Sequence, residues 1–144
     1  MVSEFDKNVA HNLRDLVTRM QRRLKKQISN PEQMSVTERS VLQLLIVSEE
    51  MLPSELSAQL NISSQYMSQV LNRLAEFGYI SRKAAAGDKR KTFASLTEKG
   101  KLKVQESRLE REEWLAGLIA QHYTDPDKLV IQKAIQLLSI LPDL

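Results

Sequence analysis

Residues 63–78, SSQYMSQVLNRLAEFG, followed by residues 79–100, YISRKAAAGDKRKTFASLTEKG, decide the fold. Ser63 is an N-cap residue type, and Gly78 suits the left-handed position that closes a helix, so a helix is expected to run from Ser63 to about Phe77. At 100° per residue, Met67, Val70, Leu71 and Leu74 fall on one face, and Gln65, Ser68, Gln69, Asn72 and Glu76 on the opposite one. Tyr66, Arg73 and Phe77 lie on the borders. Beyond Gly78, Tyr79–Lys83 and Lys91–Leu96 read as two strands around a tip containing Gly87-Asp88, a β-hairpin.

Upstream, Phe5, Val9, Leu13, Leu16, Val17, Met20, Leu24 and Ile28 recur in steps of three and four, predicting one long first helix that stops near Asn30-Pro31. Ser35 with Glu38 is a capping-box pattern that opens a second helix, ending around Ser48. Pro53 sits in the first turn of a short third helix, Ser54–Leu60, and Asn61 takes the turn after it. Leu56, Leu60 and Ile62 let that helix brace the next at a steep angle, as in a helix-turn-helix. Downstream, Thr97-Glu98 starts a long fifth helix reaching Tyr123. Thr124-Asp125-Pro126 precedes a sixth, which carries Val130, Ile131, Ala134, Leu137, Leu138 and Leu141.

The expected fold is therefore mainly α with a small β-hairpin wing: six helices, with the hairpin between the fourth and fifth. At 144 residues the chain is read as one domain, with a winged helix-turn-helix lobe over residues 35–97 and a helical region made of residues 1–30 and 98–144.

Composition narrows the function. An apolar fraction of 42% with 27% charged residues is that of an ordinary soluble protein. No apolar run is long enough for a membrane span and the N-terminus is polar, so a cytoplasmic protein is expected. The absence of cysteine excludes disulfides, thiolate metal sites, thiol redox sensing and cysteine nucleophiles. No glycine-rich phosphate loop, carboxylate dyad or nucleophile-base spacing is present, so neither an enzyme nor a cofactor is expected. Net charge is only +3, yet Arg82, Lys83, Lys89, Arg90 and Lys91 cluster in one short segment against Asp88 alone.

That cluster and the fourth helix suit duplex DNA. A helix face of Ser, Gln and Asn is unusual for mere solvation, where Glu and Lys predominate. Short amides and hydroxyls donate and accept, as base edges and phosphates in a major groove require. The alanine-rich basic tip, Ala84–Arg90, reads as flexible and slim, able to enter a minor groove. Arginine suits that slot best, which makes Arg90 the first choice there.

The run Asp88-Lys89-Arg90, then Leu96-Thr97-Glu98-Lys99-Gly100, resembles the wing signature D-x-R, L-T-x-x-G of the MarR family of regulators. Leu74, Gly78, Tyr79, Ile80 and Arg82 match the same family's spacing, which the chain leaves at Ala75 and Phe77. The resemblance implies a homodimer joined through the first, fifth and sixth helices, each lobe reading half of a pseudo-palindromic operator as a repressor. Asp88 would orient Arg90 for the minor groove. Ser63, Ser64, Gln65, Tyr66, Ser68, Gln69 and Arg73 would serve the major-groove helix, and Lys83, Lys89 and Lys91 would join the contact. It also implies an aromatic or lipophilic small-molecule effector. The residues independently permit the dimer, since the first-helix stripe is longer than one lobe can cover and the fifth helix carries two apolar lines.

Other readings compete less well. His11, Asp15 and His122 could suggest a metal, but three or four clustered ligands are usual and no more lie nearby. Arg19, Arg22, Arg23, Lys25 and Lys26 could suggest a membrane-surface helix, but the apolar stripe continues beyond them on both sides. A winged helix serving only as a protein-docking module would carry apolar residues on the exposed fourth-helix face and an uncharged wing, and this sequence has neither.

Overall fold

Capping chemistry punctuates the chain. The computed structural model describes all 144 residues. In chain order the elements are α1 (Glu4–Lys25), α2 (Val36–Ser48), β1 (Glu50–Met51), α3 (Pro53–Leu60), α4 (Ser64–Glu76), β2 (Ile80–Ala85), β3 (Asp88–Leu96), α5 (Glu98–His122) and α6 (Asp125–Leu138), then a short 3₁₀ turn (Leu141–Asp143). Ser3 with Asp6, Ser35 with Glu38 and Thr124 with Asp127 each form a reciprocal capping box. Asn61 takes the left-handed conformation that ends α3.

The six helices and the hairpin stand in the expected order, with four differences. Helix α1 ends at Lys25, short of Ile28 and Pro31, because Lys26 and Gln27 donate three residues back to Arg23 and Leu24 and tighten the last turn. Helix α6 ends at Leu138, leaving Leu141 to the 3₁₀ turn. The sheet has three strands, in the order β1-β3-β2, all antiparallel. Its extra strand, β1, pairs Glu50 with Ser95 and Met51 with Ala94, and Glu49 at φ +63 turns the chain into it. Last, the tip read as a flexible loop from Ala84 is mostly paired strand, and only Ala86-Gly87 lie between β2 and β3.

The chain forms two compact units, residues 29–108 and residues 1–28 with 109–144. The first has a closed core: Val41 and Leu45 of α2, Leu56 of α3, Met67, Val70 and Leu74 of α4 are essentially inaccessible. Each such side chain contributes about 1.5–3 kcal/mol by burial. Met34, Leu42, Met51, Leu71, Tyr79, Ile80, Ala94, Leu96 and Val104 complete that core. In the second unit neither α1 nor α6 has a single buried residue. Phe5, Leu129, Val130, Ile135 and Leu137 are each more than 60% exposed.

The start of α5 is locked to the end of α4. The Tyr79 N–H donates to Leu74 O and the Gly78 N–H to Ala75 O, the paired bonds of a Schellman closure that needs Gly78 at its φ of +77. The Thr97 N–H then donates to Tyr79 O (3.0 Å), and Thr97 Oγ1 donates to Gly78 O (2.5 Å) while accepting the Gly100 N–H (3.0 Å). A Cβ on Gly100 would stand 2.0 Å from the Tyr79 carbonyl oxygen, so only glycine lets α5 approach this closely.

Candidate nucleic-acid interface

Helix α4 presents the polar ridge its spacing predicts. Ser64, Gln65, Ser68, Gln69 and Asn72 are exposed, while Met67, Val70, Leu71 and Leu74 anchor the opposite face in the core. Tyr66, on the border, is 41% exposed. The Ser63 oxygen is already committed, capping the helix by accepting the Tyr66 N–H at 3.1 Å. Ser68 donates back to Ser64 O at 3.1 Å, leaving its oxygen lone pairs outward.

Arg73 leaves this ridge. Its Nη1 lies 3.5 Å from Glu38 of α2, its Nη2 donates to the carbonyls of Glu32 and Gln33 at 3.3 Å, and the guanidinium lies over Phe77, 5.4 Å from the ring centre. The side chain assigned by sequence to the reading helix is thus a tether between α4 and the segment before α2. Those partners are about 40 residues away along the chain, beyond the reach of helical periodicity.

The wing displays its cations by a change of register. Ala84 stands opposite Thr92, yet Ala85 stands opposite Asp88, so one step on β2 matches four on β3. Lys89, Arg90 and Lys91 occupy the resulting bulge, all exposed. Asp88 Oδ1 accepts the Arg90 N–H at 3.0 Å and lies 3.7 Å from Arg90 Nε, aiming a guanidinium that is otherwise 96% exposed. Lys83, on β2, is exposed as well.

Two features escaped the sequence. Arg82 of β2 donates to Asn72 Oδ1 of α4 at 2.7 Å, across a small cleft also lined by Pro53, Ser68, Thr92 and Ala94. Also within the lobe, Glu32 accepts from the Tyr79 hydroxyl and from Lys103 Nζ (3.0 Å). Burial opposes the Glu32 charge, but the hydrogen bonds from Tyr79 and Lys103 outweigh it and hold the carboxyl below its ordinary range. The Tyr79 hydroxyl is pushed up to about 12, by burial first and then by its bond to Glu32. Only the fold brings these partners together.

In the helical unit, Leu16, Met20, Trp114 and Leu118 line an open apolar groove rimmed by Arg19, Arg23 and His122, with Arg23 over the Trp114 ring at 5.5 Å. His11 is exposed, Asp15 is ion-paired with Arg19 at 2.9 Å, and no three His, Cys, Asp or Glu side chains converge. No helix is long and apolar enough to cross a membrane.

Residues 32–91 match the model of the MarR family. An uncharacterized HTH-type transcriptional regulator of Bacillus subtilis, YdgJ, is 29% identical over 91 residues, which span 63% of this chain and 56% of that protein. An uncharacterized HTH-type transcriptional regulator of Mycobacterium bovis is 28% identical over 97% of this chain and 96% of its own length. Among solved structures, a Pseudomonas aeruginosa protein classed as a transcriptional regulator superposes with a TM-score of 0.76 at 27% identity, covering 99% of both chains. A variant of S. aureus MepR bound to an oligodeoxyribonucleotide has the same fold, with a TM-score of 0.68 at 18% identity over 92% of this chain and 97% of that one. With its winged lobe, its Asp88-Arg90 tip and its Thr97-Gly100 lock in place, the chain is similar to the MarR family over residues 32–91 and to helix-turn-helix transcriptional regulators over nearly its whole length.

Proposed function

We propose that the chain is a homodimeric, sequence-selective DNA-binding repressor, with α4 in the major groove and Arg90 in the adjacent minor groove. One observation carries this reading: an exposed ridge of neutral hydrogen-bonding side chains and an aspartate-held arginine belong to the same compact unit. Ser64, Gln65, Tyr66, Ser68 and Gln69 read base edges or hold phosphates. Ser63 serves by capping, and Lys83, Lys89 and Lys91 neutralise backbone charge. Arg73 supports the helix from behind. The MepR variant that shares this fold is bound to an oligodeoxyribonucleotide, which supports DNA as the ligand.

The bare apolar surfaces of α1 and α6 support the dimer. Two-fold symmetry would place the reading helices roughly 34 Å apart, on successive major grooves of a pseudo-palindromic operator. The protein works in the cytoplasm as a binder, not a catalyst, and an aromatic or lipophilic small molecule is the effector class that would release it.

Titration of an enriched duplex, at two salt concentrations, tests the assignment. Arg90→Ala should weaken binding by at least about tenfold, with dimer mass unchanged. Gln69→Ala should alter sequence preference by about 1–3 kcal/mol at one position in each half-site. Unaltered affinity in Arg90→Ala would remove the wing from the interface.

A further inference from the structure

The bond from Arg82 to Asn72 decides which way an exposed amide faces. Asn72 follows Ser68 and Gln69 by one turn on the ridge of α4, and Arg82 lies on β2 opposite Ala94. A guanidinium has donors only, so the atom 2.7 Å from Arg82 Nη2 must be the amide oxygen. The Asn72 NH2 group is therefore the end left for another partner. No carboxylate lines the cleft around this pair, and Asp88, the one acid in the wing, is turned to Arg90.

An asparagine free to turn reads adenine in the major groove with both ends, accepting from N6 and donating to N7. With its oxygen turned to Arg82, Asn72 presents its NH2 end, a donor, to a base. The favoured base edge is then the one richest in acceptors, guanine, with O6 and N7 side by side. Cytosine, which presents an N4 donor there, is the least favoured. We propose that Arg82 is a positioning residue that sets Asn72 as a hydrogen-bond donor, and that Asn72 selects guanine at one position in each half-site. This rests on the proposed reading of α4 as the major-groove helix. It adds Asn72 and Arg82 to the residues that determine specificity.

The test is selection from randomised duplexes, run in parallel with the full-length wild-type protein and four variants whose thermal stability is checked first. The wild-type protein should show a symmetry-related guanine in each half-site. Arg82→Met should free the amide and lower the guanine preference at that position about tenfold, with adenine rising and all other positions unchanged. Arg82→Lys, still a donor, should keep guanine. Asn72→Asp, an acceptor only, should move the position to cytosine, and Asn72→Ala should leave it without preference.

Two results overturn the proposal alone: Arg82→Met leaving every preference intact while flattening the salt dependence by about one phosphate contact, or Arg82→Met losing only thermal stability. A wild-type protein that enriches no duplex overturns the reading of α4 itself, a failure that the wild-type arm alone makes visible.

Discussion

The winged lobe, residues 29–108, buries residues of α2, α3 and α4 in a shared core, whereas α1 and α6 bury no residue at all. Both regions have good caps and clear apolar periodicity, so local helix-forming signals do not distinguish them. The difference is in what faces each stripe. In the lobe, Leu45, Leu56, Met67 and Leu74 meet one another and exclude water. In the helical unit, Val130 and Leu137 are seven residues apart on α6 with 69% and 62% of their surfaces exposed. A helix draws most of its stability from packing an apolar face, so the first region is complete within one chain and the second needs another surface.

Charging that surface is the severest way to break the contrast. Val130→Asp with Leu137→Asp should abolish the proposed dimer, and sedimentation should move from twice the 16.5 kDa chain mass to that mass. Retention of the double mass would show that α6 is covered by nothing this change disturbs.

Truncation sharpens the same contrast. Leu74→Ala, at a fully buried site, should cost about 2–5 kcal/mol and lower the melting temperature equally at every protein concentration. Leu137→Ala should cost less, and its effect should grow on dilution, as expected for a side chain packed across a subunit boundary. Melting curves over a hundredfold range of concentration separate the two.

The smallest effect concerns pH within the lobe. Folding raises the Tyr79 value from 10.0 to about 12, so the neutral phenol is the favoured form. Its contribution is complete below pH 10 and is lost as pH rises through about 12. At Glu32 the shift is downward from 4.5, so that contribution holds above this value and fades as acid protonates the folded carboxyl. Tyr79→Phe should flatten the alkaline fall in melting temperature relative to wild type. Parallel curves between pH 10 and 12 would mean that the Tyr79–Glu32 bond contributes nothing to this dependence.

What the sequence revealed and what it withheld divide along range. Ser35 with Glu38, Ser63, Gly78 and Thr97 marked helix ends correctly because a cap is made by residues three or four apart. The buried and exposed faces of α4 followed from its periodicity for the same reason. Strand β1 was missed because two residues are too few to show alternation, although Leu52 before Pro53 is biased toward extended backbone. The bulge at Lys89–Lys91 depends on pairing with β2, which no single strand encodes. Within the site, Arg73 looked free only because Glu32, Gln33 and Glu38 are distant in the chain. The Arg82–Asn72 bond was hidden in the same way: the spacing placed Arg82 in a basic cluster and left its direction open.

The seat of Gly100 against Tyr79 O has a consequence for how such sequences diversify. Any larger residue there must push α5 away, which also pulls Thr97 from Gly78 O and opens the closure of α4. Single substitutions at these positions are therefore trapped, and descendants of this gene can leave the arrangement only by several coordinated changes. The exposed tip at Ala86, by contrast, is free to drift one mutation at a time without endangering the scaffold.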